Sequence, residues 1–150
     1  MKITPEVAEI AGAFAADGSM QHEHLCMWGN IVEDREYYDE VLGPLYEKTF
    51  GVSLNIHEKQ SNSVYGFNVC DPSVLRKFWY ALEYTPGCKT YTVRVPEFIR
   101  GSRNPEVWAA FVRGYVDCDG SLSFGKRYNQ GYKPIRKILH MNPVISASCV

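Results

Sequence analysis

Apolar residues recur at helical spacing in four stretches of the chain. This pattern predicts helices over residues 5–16, 35–50 and 72–84, and a fourth helix that begins at residue 105. The first start is supported by Thr4, because threonine caps helices and the proline after it suits the first helical position.

The segments between the helices are typical of antiparallel strands. Residues 20–32 are predicted to form a strand or one arm of a hairpin, and residues 52–58 and 64–70 to form two strands joined by a polar turn. A strand over residues 121–124 and an extended stretch over residues 133–147 follow the fourth helix. The order of elements predicts an α+β fold with helices on one face of an antiparallel sheet.

One segment of the chain occurs twice, at an offset of 102 residues. Small residues stand at every fourth position of both copies: Ala8, Gly12 and Ala16 in the first, and Ala110, Gly114 and Cys118 in the second. Each copy continues into Asp-Gly-Ser, so Asp17 and Asp119 occupy the same position.

Residues four apart lie on one face of a helix, so each copy presents a stripe with almost no side-chain volume. Two such stripes favour close packing of the helices, which would bring Asp17 and Asp119 together. Neighbouring carboxylates repel unless a proton or cation lies between them, and Mg²⁺ prefers oxygen ligands. The alternative, two plain amphipathic helices that end in glycine, gives no reason for an Asp at the same position in both.

Histidine and cysteine alternate in the first predicted strand, as His22, His24 and Cys26, and are expected to share one face. Both types bind zinc, but a fourth ligand at suitable spacing is missing. A polar sheet surface is therefore the preferred interpretation.

Composition is that of a globular protein, with 45% hydrophobic and 13% aromatic residues among 150. No apolar run approaches the ~20 residues needed to cross a bilayer, and no secretory signal is recognisable. The five cysteines lack a Cys-x-x-Cys pair and favour a reducing compartment. We therefore expect an intracellular protein, cytoplasmic or nucleoid-associated, without a membrane partner.

Charge is polarised along the chain, although the net charge is only −1. Residues 1–50 hold three basic and ten acidic groups, residues 51–120 hold eight and seven, and residues 121–150 hold five basic groups and no acidic one. The basic end suits a nucleic-acid partner, and a solvated basic tail is the simpler alternative.

The two repeated segments resemble the paired motifs of the LAGLIDADG (dodecapeptide) homing endonucleases, of the archaeal intron and intein type. The motif residues are Ile10-Ala-Gly-Ala-Phe-Ala-Ala-Asp-Gly18 and Val112-Arg-Gly-Tyr-Val-Asp-Cys-Asp-Gly120. The segments 34–38, 87–91 and 95–99 also resemble that family, so the likeness covers essentially the whole chain.

The resemblance implies the LAGLIDADG fold, in which two motif helices form the interface and saddle-shaped antiparallel sheets straddle the DNA major groove. It implies a first unit over residues 1–103 and the start of a second over 104–150, which we expect to be incomplete. A further chain segment or a second copy would complete that half.

The activity implied is site-specific cleavage of both DNA strands, with Asp17 and Asp119 as catalytic and metal-binding residues and Mg²⁺ or another divalent cation as cofactor. Two departures from the family pattern stand out: the earlier acidic motif position is Asp117 in the second copy but Ala15 in the first, and no assisting basic residue can be placed. The predicted DNA contacts are His22, His24, Lys59, Gln60, Asn62, Lys126, Arg127, Lys133, Arg136 and Lys137.

Two other functions remain open on the same scaffold. A maturase or regulator that binds DNA or RNA would show no metal-dependent cleavage. The endonuclease domain of an intein would be flanked by splicing residues, and neither a Cys or Ser start nor a His-Asn finish occurs here.

Overall fold

The computed structural model describes residues 3–59, 63–89, 93–126 and 141–147, the stretches 120–126 and 141–147 as backbone only. The elements, in chain order, are α1 (Pro5–Asp17), β1 (Gly18–Met20), β2 (Leu25–Asn30), α2 (Arg35–Tyr37), a π-helical segment (Tyr38–Leu42), α3 (Gly43–Phe50), β3 (His57–Lys59), β4 (Val64–Val69), α4 (Pro72–Leu82), α5 (Glu97–Arg100), α6 (Pro105–Asp119), β5 (Gly120–Lys126) and β6 (Met141–Ala147).

The first four strands form an antiparallel sheet in the order β1-β2-β4-β3. Alternate side chains of its two central strands, among them Leu25, Met27 and Phe67, are fully buried beneath the helices. The opposite face carries the alternate residues and has no helix on it in the described part of the chain. Strands β5 and β6 pair antiparallel in a second sheet. The predicted α+β fold with helices on one face of an antiparallel sheet is confirmed.

Two predicted strands are wrong in part. Of the predicted segment 52–58, only residues 57 and 58 lie in a strand, the strand β3, because Leu54 and Ile56 pack against the core instead of extending the sheet. Residues 21–24, predicted inside a strand, form the connection between β1 and β2.

The helical stretch 35–50 contains a π-helical segment that the sequence pattern did not predict. Tyr38, Leu42, Tyr46 and Phe50 are spaced by four, and on a regular α-helix this spacing drifts by about 40° per step. The wider π turn offsets the drift, so that Tyr38, Leu42 and Tyr46 are all fully buried.

An aspartate directly before a helix often caps it, but Asp34, the residue before α2, does not. Its side chain makes no capping bond to the helix and instead accepts a hydrogen bond from the backbone N–H of Asn30, at 2.5 Å. The carboxylate therefore closes the turn between β2 and α2.

The repeated segments lie in α1 and α6, whose backbones are in direct contact. A Cβ atom on Gly12 would lie 2.0 Å from the carbonyl oxygen of Phe111, and one on Gly114 would lie 2.2 Å from that of Glu9. Ala8 and Ala110 are buried, whereas Ala16 and Cys118 are half-buried near the helix ends. The absence of side chains at the two glycines is thus what lets the helices approach so closely.

We predict that Gly12→Ala lowers the free energy of unfolding by roughly 3 kcal/mol, because the added methyl group meets rigid backbone and not a movable side chain. The measurement is denaturant unfolding followed by circular dichroism. Gly101→Ala is the matched control: its Cβ would lie 3.4 Å from the Glu97 carbonyl oxygen, an ordinary contact. Equal effects of the two substitutions would contradict the close approach of α1 and α6.

Candidate active site

The candidate site lies where α1 and α6 end, since Asp17 and Asp119 are their last residues. Burial, together with the neighbouring charges of Asp34 and Asp119, raises the pKa of Asp17 from 3.8 to about 6, although the charge of Lys89 acts in the opposite direction. The two motif carboxylates thus share one electrostatic environment, and Asp34 adds a third negative charge to it.

Lys89 is the basic residue of this environment. Its ammonium group donates a 2.5 Å hydrogen bond to the backbone carbonyl of Ala16, in the last turn of α1. Burial lowers the pKa of Lys89, and the charges of Asp17 and Asp119 raise it. A cation here satisfies a carbonyl at the helix C-terminus and partly compensates the acids.

Two hydrogen bonds hold the segment that carries Lys89. The backbone N–H of Gly87 donates to the carbonyl of Met20 at 2.9 Å, at the end of β1. The buried hydroxyl of Tyr84 donates to the carbonyl of Ala11 at 3.0 Å, and its ring packs on Phe14 with centroids 5.3 Å apart. The segment after α4 is therefore fixed against α1.

Tyr38 and Cys118 form the inner wall of the site. Tyr38 is fully buried, and its hydroxyl has no hydrogen-bond partner within the described residues. Burial raises the pKa of both groups, and the charge of Asp17 raises it further. The Asp17 carboxylate thus lies beside a buried hydroxyl and a buried thiol on its inner side.

The donor set fits a hard divalent cation. Asp17 and Asp119 offer carboxylate oxygens, which hard cations prefer as ligands. Burial, with the neighbouring acids, raises the pKa of Asp17, and a bound cation would lower it again. Within the described residues, no group of three or more His, Cys, Asp or Glu side chains has the geometry of a metal site. Further ligands would have to come from water or from a bound phosphate.

The uncovered face of the sheet, called the open face below, carries a groove. Its lining includes His24, Cys26, Trp28, His57, Lys59 and Asn68. Gly66 lies opposite both Trp28 and His57 in the register, which leaves room for their rings to meet edge to face, with centroids 5.3 Å apart. The Lys59 ammonium lies 5.5 Å from the centre of the Trp28 ring. The groove thus combines an aromatic surface with the ammonium group of Lys59 and the carboxylates of Glu23 and Glu58.

The predicted DNA contacts are distributed unevenly. Lys59 and His24 line the groove. His22 lies in the connection between β1 and β2, and its ring contacts that of Trp79 in α4, with centroids 6.2 Å apart. The expected shared strand face for His22, His24 and Cys26 is therefore wrong, because only Cys26 lies within a strand.

Several predicted contacts are not assessed by the described part of the chain. Lys126 ends β5, where the backbone alone is described. The others lie outside the described residues: Gln60, Asn62, Arg127, Lys133, Arg136 and Lys137.

Comparison with solved structures identifies the architecture. The chain is similar to the I-LtrWI LAGLIDADG homing endonuclease bound to target DNA, with a TM-score of 0.52 and 14% sequence identity. The match covers 96% of this chain and 65% of that one, so the chain spans just under two thirds of the neighbour's length. This is the LAGLIDADG homing-endonuclease fold. No protein-family model and no curated protein sequence matches the chain.

The proximity of Lys89 to the two acids could not be predicted from the sequence. The residue follows a Pro-Gly break and lies far from both motifs in the sequence. Only the return of the segment after α4 to the end of α1 brings it to the acids. The local signal, one lysine in an irregular stretch, was too weak to separate it from other surface lysines.

No helix in the described residues is long and apolar enough to span a membrane.

We predict that Asp17→Asn stabilises the metal-free chain above pH 6 and has little effect near pH 4. The raised pKa means that the folded state binds the Asp17 proton more tightly than the unfolded state, so wild-type stability falls as the pH rises from 3.8 to about 6. That interval corresponds to at most about 3 kcal/mol, which solvent screening of this partly exposed carboxylate reduces to about 1–2 kcal/mol. Urea unfolding in the presence of a chelator, between pH 4 and 8, measures it. A difference between variant and wild type that does not change with pH would refute the assignment.

Proposed function

We propose that this protein is a divalent-metal-dependent endonuclease that cuts both strands of DNA at a specific site. The observation that carries the proposal is the electrostatic interaction of two motif carboxylates and one lysine at the ends of two closely packed helices. The fold, shared with a homing endonuclease bound to target DNA, supports the same conclusion.

The carboxylates of Asp17 and Asp119 would hold the metal ion through their oxygens. When bound, Mg²⁺ supplies an activated water and stabilises negative charge on the reacting phosphate. Asp17 must be ionised to bind the cation, so metal affinity falls as the pH drops below about 6. Lys89, half-buried between the acids and the surface, would stabilise the charge that builds up on the phosphate oxygens as the P–O bond breaks.

DNA would lie along the open face, with the sheet in the major groove. Strand pairs fit that groove, and the side chains along the open face offer a lysine, an imidazole, an amide and a large aromatic surface. Contacts of Lys59 with phosphate would position the duplex, whereas Asn68 is a type that reads adenine. A single unit covers one half of such a site, and the second half would require either a further segment or a second copy.

The nuclease proposal is tested with three substitutions in the assembled, DNA-binding protein. Asp17→Asn, Asp119→Asn and Lys89→Met are each expected to lower the cleavage rate at least 100-fold, because each removes a charge from the reacting centre. Cleavage is measured with Mg²⁺ on supercoiled plasmid libraries that contain the native target. DNA affinity is measured separately in Ca²⁺.

The matched control is Glu40→Gln, which removes an exposed carboxylate from the π-helical segment. We expect it to cleave at the wild-type rate. Unchanged cleavage by Asp17→Asn and Asp119→Asn would exclude the proposed mechanism. Tight DNA binding by the wild type without any cleavage would favour a binding module on the same fold.

The DNA surface is tested by Lys59→Gln. Loss of one phosphate contact is expected to weaken binding across all sequences and to reduce the slope of log affinity against log salt by about 1. Lys77→Gln is the control, because Lys77 is exposed on α4, among the helices on the other side of the sheet. Equal losses for both lysines would mean that DNA does not bind to the open face.

A further inference from the structure

An ion pair joins α1 to α6 beside the point where their backbones touch. The Arg113 guanidinium donates two hydrogen bonds to the Glu9 carboxylate, from Nε to Oε1 at 3.1 Å and from Nη2 to Oε2 at 2.6 Å. Glu9 is only 8% exposed, whereas Arg113 reaches it from the surface. Glu9 therefore depends on the ion pair more than Arg113 does, since an unpaired buried carboxylate is strongly unfavourable.

The backbones of the two helices meet with near-perfect twofold symmetry. A Cβ on Gly12 would contact Phe111 O and Tyr115 N, and one on Gly114 would contact Glu9 O and Ala13 N. Every one of these contacts maps onto another when 102 is added to or subtracted from the residue numbers. Backbone geometry alone would thus accept α1 against α6, or either helix against a second copy of itself.

The side chains break that symmetry. The counterpart of Glu9 in the second copy is Phe111, and the counterpart of Arg113 in the first copy is Ala11. Charge therefore faces charge on one side of the helix pair, while the related positions on the other side are the buried, apolar Phe111 and Ala11.

Pairing of α1 with a second α1 would place each Glu9 opposite Ala11. Two carboxylates would then be buried without a cation. Arg113 is less restrictive, because it is half-exposed and also lies within the electrostatic reach of Asp117 in its own helix. Selectivity thus resides mainly in the buried Glu9.

We propose that the Glu9–Arg113 pair selects the partner of α1: it accepts a helix of the α6 type and rejects a second copy of α1. The interface then accepts only two unlike helices. Two copies of this chain could associate through it only if α1 of each copy packed against α6 of the other. The inference bears on the proposed function, because α1 and α6 carry Asp17 and Asp119. Its test reads molecular mass, so it can fail or succeed independently of cleavage.

The test uses charge reversal in the full chain. Glu9→Arg alone places two arginines together, and Arg113→Glu alone places two glutamates together, so each variant should fold poorly. Equal amounts of the two are mixed in denaturant and refolded together. Each α1 then finds a complementary α6 only on the other chain, and native mass spectrometry should show the mixed dimer at least tenfold above either homodimer. The double variant E9R/R113E should behave like the wild type.

The matched control is the Glu6–Lys48 pair, which joins α1 to α3 at 2.9 Å and has no part in the α1–α6 contact. Co-refolded Glu6→Lys and Lys48→Glu should give no excess of mixed dimer. A Glu9/Arg113 mixture that stays unfolded, refolds as separate chains or pairs no better than this control overturns the proposal.

Discussion

The direct contact between the backbones of α1 and α6 is the constraint on which the rest of this structure depends. Helices that meet through ordinary side chains lie about 8–10 Å apart, and their last residues then diverge according to the crossing angle. Here Gly12 and Gly114 remove the intervening side chains, so the carbonyl oxygens of one helix occupy the space where the other would have carried a Cβ atom. Asp17 and Asp119 share an electrostatic environment because the helices that end in them cannot separate.

The close packing of α1 and α6 concentrates negative charge at their C-terminal ends, where the helix dipoles already disfavour an anion. Both helices end in an acid, Asp34 approaches from the turn before α2, and the inner wall is buried. Lys89 relieves part of the repulsion but is itself partly desolvated. Burial and the like charges of Asp34 and Asp119 thus make the ionised form of Asp17 unfavourable, and a cation close to the carboxylate would offset that.

The helices, the sheet and the position of the two acids at helix ends could be predicted from sequence, because each has a local pattern: caps, apolar periodicity, and a motif that occurs twice. What could not be predicted depends on tertiary contacts. Lys89 reaches the acids because hydrogen bonds to Met20 and Ala11 hold its segment against α1 and β1. The connection at His22 and His24 carries no signal that separates it from a strand. The π-helical segment at Tyr38 follows from the need to bury residues spaced by four, which a helical pattern alone does not specify.

The repeat also shows which residue positions the twofold symmetry of the helix pair constrains and which can differ between the two copies. Gly12 and Gly114, whose Cβ atoms would fall on the backbone of the partner helix, are identical in both copies. The side chains at the edge of this contact differ: Glu9 corresponds to Phe111, Ala11 to Arg113 and Ala15 to Asp117. A change at the edge alters which helix fits opposite without moving the acids, because the glycines alone fix the distance between the axes. One backbone geometry can therefore serve both like and unlike pairs, and the side chains around it decide which pair forms.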